Sequence, residues 1–249
     1  MYGKTPAKSP AKPAAKPAPS PESQVKRMLF DTAHAETMNL GTDEYKDFRD
    51  ALAEWNWELY ALSMKPVTAE LLKDYTVFFI GSPKGDRFTE EEIVEIMHFL
   101  RDGGAMCMIS ASGGDQYNNT NLNDIAEQLG FLFNGDFLAH EEDFEGDDFY
   151  DTICKGTGMN PLTMGVRSLY TGPTCTIKIV DPSGAKSLAY SHEPFPESRH
   201  VAVHGYYGLG RFFSAAVPMF RYIKRHDNKF FLQSVFFWLS QLRLDSEML

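Results

Sequence analysis

An α/β fold, with a mostly parallel, doubly wound sheet and extra strands in the second half, is predicted from three features of the sequence. The stretch Tyr75 to Ser112 reads as strand, turn, helix and strand, the unit of a parallel crossover. Strand-like and helix-like segments alternate as βαβαβαβα as far as Gly130. Beyond that point the pattern changes to short strands separated by turns and closed by one apolar helix.

Residues 1–24 form a Lys/Pro/Ala/Ser tract with almost nothing apolar to bury. Its frequent prolines exclude a helix, so residues 1–26 read as a disordered, extended tail and 27–249 as one domain. Val25 to Phe30 reads as the first strand, with Asp31, His34 and Glu36 after it. Thr42 is placed to cap a helix with Tyr45, Phe48, Leu52 and Trp55 on its apolar side. Glu58 to Leu62 is the second strand, and Thr68 opens a short helix.

Thr76 to Ile80 is a continuous apolar run, as a strand covered on both faces requires. Thr89-Glu90-Glu91-Glu92 is a capping box, flanked by a Phe88–Ile93 hydrophobic staple. Ile93, Ile96, Met97 and Leu100 make one helix face, which Gly103-Gly104 ends. Ala105 to Ile109 is the next buried strand, and Ser110 to Gly114 the loop after it. Asn121 to Leu129 reads as a helix stopped by Gly130.

Phe131 to Phe133, Phe137-Leu138, Cys175 to Val180, Ser187 to Tyr190, His200 to His204 and Arg211 to Val217 are the later strand candidates. Asp227-Asn228 opens the closing helix, which carries Phe231, Val235, Trp238, Leu239 and Leu242. Whether the later strands extend the main sheet or form a second layer is not legible in the pattern.

The hydrophobic share of 43%, with 13% aromatic residues, supports a sizeable core. Net charge is −10. Lys4, Lys8, Lys12 and Lys16 against Glu22 give the tail +3, so the body carries −13. An acidic body argues against nucleic acid as a partner. No apolar run approaches a membrane span, and no secretory signal is visible, so membrane insertion is not expected. Three widely spaced cysteines match no disulfide or zinc pattern, which points to a reducing cytoplasm.

In open α/β sheets the ligand crevice lies at the carboxyl ends of the strands. Asp31, His34, Ser82, Ser110, Ser112 and Asp115 are therefore the candidate ligand-binding residues, with Glu36, Lys84, Asp86 and Gln116 nearby in the same loops. The competing use of Asp31 and His34 is to satisfy backbone groups of their own loop. Neither glycine cluster has phosphate-loop or dinucleotide spacing, and no G-x-S-x-G elbow is present. His200 and His204 share a strand face and read as structural. Within the acidic stretch from Asp136 to Asp151, the run from Asp143 lacks the sixth-position glycine and the distal glutamate of a calcium loop, and the stretch reads as a solvated loop.

Several stretches together resemble the GIFT domains, named for the gliding-motility protein GldG and an intraflagellar-transport subunit. They are Leu29-Phe30-Asp31 with His34, Tyr75 to Pro83, Phe88-Thr89-x-x-Glu92 through Gly104, Asn119 to Gly130, Asn160 to Val166, and Asp227 through Leu239. The resemblance, from about Arg27 to Leu242, implies a flavodoxin-like scaffold of the class I glutamine-amidotransferase-like superfamily. Active members carry a cysteine on the turn that matches Ser110 to Ser112 here, and a downstream H-x-E pair. This chain has no cysteine at that turn. His192 and Glu193 are adjacent, and His34-x-Glu36 lies far upstream of the family position.

The resemblance thus implies a non-catalytic binding or assembly module with a protein partner and no cofactor, in motility, transport or trafficking-type machinery. Two alternatives stand beside it. One is a sugar- or nucleotide-binding module. The other is a hydrolase using Ser112 or a metal held by Asp31, His34 and Glu36. Oligomeric state, partner and ligand are not legible.

Overall fold

The computed structural model describes residues 25–138, 153–156, 160–191, 199–216 and 219–241. The basic tail, the acidic run beyond Leu138 and the His192-Glu193 pair lie outside the described residues. The first half follows the predicted alternation. Strand β1 (Lys26–Asp31) leads to α1 (Lys46–Glu54), β2 (Trp57–Leu62), α2 (Ala69–Leu72), β3 (Val77–Gly81), α3 (Glu90–Arg101) and β4 (Ala105–Ile109). Then come α4 (Gly114–Asn118), α5 (Leu122–Ala126), β5 (Phe131–Phe133), β6 (Ile153–Gly156), β7 (Leu169–Tyr170), β8 (Ile177–Ile179), β9 (Ala185–Ser191), β10 (His200–Tyr207), β11 (Gly210–Ala215) and α6 (Asn228–Leu239).

The later strands extend the main sheet. Its order is β2-β1-β3-β4-β11-β10-β9-β6-β7, with β8 also paired to β10 and β5 to β8. The first five run parallel, because β11 returns beside β4 in the same direction. The hairpin from β10 to β11 then turns the rest antiparallel. β3 and β4 are buried at every residue, as continuous apolar runs covered on both faces should be.

One face is covered by α1 and α6. Phe48 of α1 packs against Phe236 of α6 and against Phe220, and Trp57 of β2 also meets Phe236. α2, α3 and α5 pack together over the other. The entry to β11 needs a residue without a side chain: a Cβ on Gly210 would lie 2.1 Å from the Leu100 carbonyl oxygen. The α3 capping box is complete. Thr89 Oγ1 accepts from the Glu92 N–H at 3.2 Å, and Glu92 Oε2 accepts from the Thr89 N–H at 2.9 Å.

Four local expectations are corrected. Thr42 does not cap through its side chain; its hydroxyl donates to Asn39 O, and a 3-10 turn (Asp43–Tyr45) precedes α1. The segment after β4 is not loop throughout, since Gly113 and Gly114 take left-handed φ values and start α4. The Asn121–Leu129 helix tightens to a 3-10 turn over Glu127–Leu129. Phe137-Leu138 makes only an isolated bridge, Leu138 to Thr174.

Three ion pairs tie α1 and the turn before it to α6 and the segment leading into it: Arg221–Glu44 (2.8 Å), Lys224–Asp47 (2.7 Å) and Lys229–Glu54 (2.7 Å). Their side chains are largely solvated, so each contributes little. Lys229→Ala is expected to change stability in urea unfolding by less than about 1 kcal/mol, and by less still at high salt.

Candidate functional site

The crevice predicted at the carboxyl ends of the strands is present. It is a cleft of about 250 Å³ beyond β3 and β4, lined by Ser82, Ser110, Ser112, Thr37, Tyr117 and Asn118, with Met38, Tyr45, Ile109, Ala111 and Pro173 also contributing. Ser82 holds a left-handed φ of 66°, uncommon for a residue with a side chain. Its carbonyl accepts from the Thr37 N–H at 3.0 Å and the Thr37 hydroxyl at 2.8 Å, which fastens the loop after β1 to the end of β3. Asn118 Nδ2 donates to the carbonyls of Ser112 (3.1 Å) and Gly114 (2.8 Å), fixing the turn after β4. Tyr117 and the exposed Phe137 stack edge to face at 5.2 Å, and the Lys84 ammonium lies 5.9 Å from the Tyr117 ring.

Half of the candidate residues line this cleft: Ser82, Ser110 and Ser112 do, while Asp31, His34 and Asp115 do not. Asp31 and His34 are buried and serve the framework. Asp31 Oδ1 accepts from the Ala33 N–H at 2.8 Å, while Oδ2 meets His34 Nδ1 at 2.6 Å. His34 Nε2 meets the Glu92 carboxylate at 3.3 Å, and the ring stacks on Phe88 at 4.0 Å. Glu92, read from the sequence only as a capping residue, also accepts from the Val67 N–H at 3.0 Å. Burial pushes the Glu92 carboxyl up, but the Thr89 and Val67 N–H groups and then His34 outweigh it and leave it below its ordinary range. Asp115 is turned away to cap α5, accepting from the N–H groups of Leu122 (3.1 Å) and Asn123 (2.7 Å).

Glu36 lies against Asp31. Both of its oxygens are buried and neither accepts a well-formed hydrogen bond. Burial, then the Asp31 charge, pushes its carboxyl well above the ordinary range. The folded state therefore binds this proton more tightly than the unfolded chain. The stability it contributes is full at acid pH and is lost as pH rises through the raised value. Glu36→Gln is expected to remove that decline, so its urea midpoint should gain on the parent's as pH rises above the ordinary carboxylate range.

Asp31, His34 and Glu36 are not gathered as metal ligands. Among the described residues no group of three or more His, Cys, Asp or Glu is arranged to hold a metal ion. The turn after β4 also lacks the strain of a nucleophile elbow. Its left-handed residues are Gly113 and Gly114, and none of Ser110, Ala111 or Ser112 has positive φ. His200 Nδ1 pairs with Ser187 Oγ at 2.9 Å and His204 Nε2 with Asn160 at 2.7 Å, and neither imidazole is hydrogen-bonded to Ser112.

Cys107 is buried within β4, and burial holds its thiol well above the usual range. Cys175 lies beside Ser110, a proximity that the sequence could not reveal. Burial, then the Asp136 charge, pushes its thiol up to about 12, where the nucleophilic thiolate is scarce at neutral pH.

Comparison with known proteins agrees with this architecture. The family described as IFT52 GIFT domain matches residues 27–144. The human intraflagellar transport protein 52 homolog is 24% identical over 118 residues, 47% of this chain and 26% of that protein. Its mouse counterpart is 27% identical over 112 residues, 45% of this chain and 25% of that protein. The match therefore spans about a quarter of the length of these relatives.

Among solved structures, the mmIFT52 N-terminal domain superposes with a TM-score of 0.75 at 20% identity, covering 88% of this chain and 99% of that one. A cytoplasmic protein of Salmonella typhimurium LT2 follows at 0.61 and 14%, covering 87% and 100%. At such identities these likenesses establish the fold alone. Residues 27–144 of this chain are thus similar to the IFT52 GIFT domain, in the family match and in both relatives.

Proposed function

We propose that this chain is a non-catalytic, protein-binding module of an intraflagellar-transport-type assembly, working from the cytoplasm. The observation that carries the reading is the relaxed turn Ser110–Ala111–Ser112. It offers hydroxyls where the amidotransferase-like scaffold would need an activated thiol, and among the described residues neither His200 nor His204 bonds to it. The relatives named as intraflagellar transport proteins supply the setting. Partner recognition then falls to the cleft rim, where Tyr117 and Phe137 expose aromatic surface of the kind that anchors interfaces.

A second reading rests on the cleft itself. Its mostly apolar lining, dotted with serine, threonine and tyrosine hydroxyls and without a charged side chain, suits a small uncharged ligand.

Pure protein incubated with amide and ester substrates should show no turnover above buffer. Tyr117→Ala with Phe137→Ala should abolish co-purification with intraflagellar-transport subunits, while Ser112→Ala should leave it intact. Hydrolysis lost in Ser112→Ala would overturn the proposal.

A further inference from the structure

We propose that the sheet face formed by β9, β10 and β11 beneath the last turn of α6 is an anion-binding site, where Arg211, His204 and Lys186 take up one carboxylate or phosphate group. The strand register places these residues together. Lys186 of β9 lies opposite His204 of β10, and Tyr206 of β10 lies opposite Arg211 of β11, so all four side chains share one face. Trp238 of α6 covers them. Its ring centroid is 5.2 Å from that of His204 and 5.8 Å from the Arg211 guanidinium carbon, and Tyr206 flanks the same guanidinium at 5.7 Å. Arg211 pairs with Ala105, at the start of β4, so the site lies at the opposite end of the strands from the cleft.

Two buried donors here have no acceptor among the described residues. Arg211 is 7% exposed, yet its Nε–H is unpartnered. His204 is 9% exposed, and its Nδ1 is unpartnered. The proton on His204 can be assigned from its neighbour. Asn160 Oδ1 accepts from the Leu162 N–H, so Asn160 Nδ2 is the group that faces His204 Nε2 and donates to it. The remaining proton sits on Nδ1 and points at no acceptor. Burial, then the Lys186 charge, lowers His204 to about 4, so the ring is neutral at pH 7. Buried donors ordinarily find partners, and a buried guanidinium ordinarily finds an anion.

The cations here are equally unbalanced. Elsewhere in this acidic chain, basic side chains such as Lys229, Lys224 and Arg221 each meet a carboxylate. No carboxylate pairs with Arg211 or Lys186 among the described residues. The carbonyl end of α6 offsets only about half a charge. A single oxyanion would accept from Arg211 Nε–H and His204 Nδ1–H together and balance Lys186 at the rim.

The full chain, isotope-labelled, would be titrated with inorganic phosphate and separately with acetate, each against chloride at equal ionic strength. The Trp238 indole N–H and Arg211 Nε–H signals should shift saturably with at least one of them, and the tighter binder identifies the group. Arg211→Met should abolish the effect. Lys186→Ala, an exposed change that keeps the fold, should raise the dissociation constant by about two- to five-fold. No saturable shift with either anion, an unchanged titration in Arg211→Met, or an unchanged constant in Lys186→Ala would overturn the assignment.

Discussion

Replacing His34 with alanine is expected to cost about 3–5 kcal/mol, because it strips the shared partner from two buried carboxylates. The imidazole stands between Asp31 (2.6 Å) and Glu92 (3.3 Å), and all three side chains are almost wholly buried. Its loss leaves both acids facing a void in an apolar setting formed partly by Phe88, which now stacks on the ring. Urea unfolding at neutral pH measures the cost. Removing one acid from the variant, as in His34→Ala with Glu92→Gln, should recover part of it, since the residues act as a unit. A cost under about 1 kcal/mol would mean that the imidazole contributes no more than a solvated ion pair.

Phe220→Ala is expected to cost a comparable amount, about 3–5 kcal/mol, for a different reason. Phe220 is fully buried, with Phe48 at 4.9 Å, Phe79 at 5.4 Å and Phe236 at 6.3 Å between ring centroids. Those rings belong to α1, β3 and α6, so one side chain joins both covering helices to the sheet. Its removal opens a cavity that three different elements would have to move to fill. The urea slope should stay unchanged while the midpoint falls. Because no charge is involved, the loss should be independent of pH.

The contrast between these sites marks what was legible in the chain. The α3 capping box was readable, because Thr89 and Glu92 are three residues apart and their hydrogen bonds form within one turn. The second duty of Glu92 was not, since His34 is 58 residues away and only the sheet brings them together. Asp31, His34 and Asp115 lie in the right loops for a crevice, yet loop membership does not say which way a side chain points. Each had local backbone donors or a buried neighbour to satisfy instead. Ser82, Ser110 and Ser112, directly at the strand ends, had less freedom to turn away, and they line the cleft.

The placement of β11 was hidden for the same reason as the second role of Glu92. Gly113 and Gly114 looked like simple turn residues because glycine marks both a loop and the left-handed start of a short helix.

The pairing of β11 with β4 bears on synthesis of the chain. A ribosome that has released the family-matching stretch 27–144 has made β4 but not the strand that lies along its far side. Until Gly210 to Ala215 emerge, the nascent polypeptide presents an open, wholly apolar ladder, and α6 is still missing from one face. Chaperone protection during translation should therefore be needed longest at Ala105–Ile109.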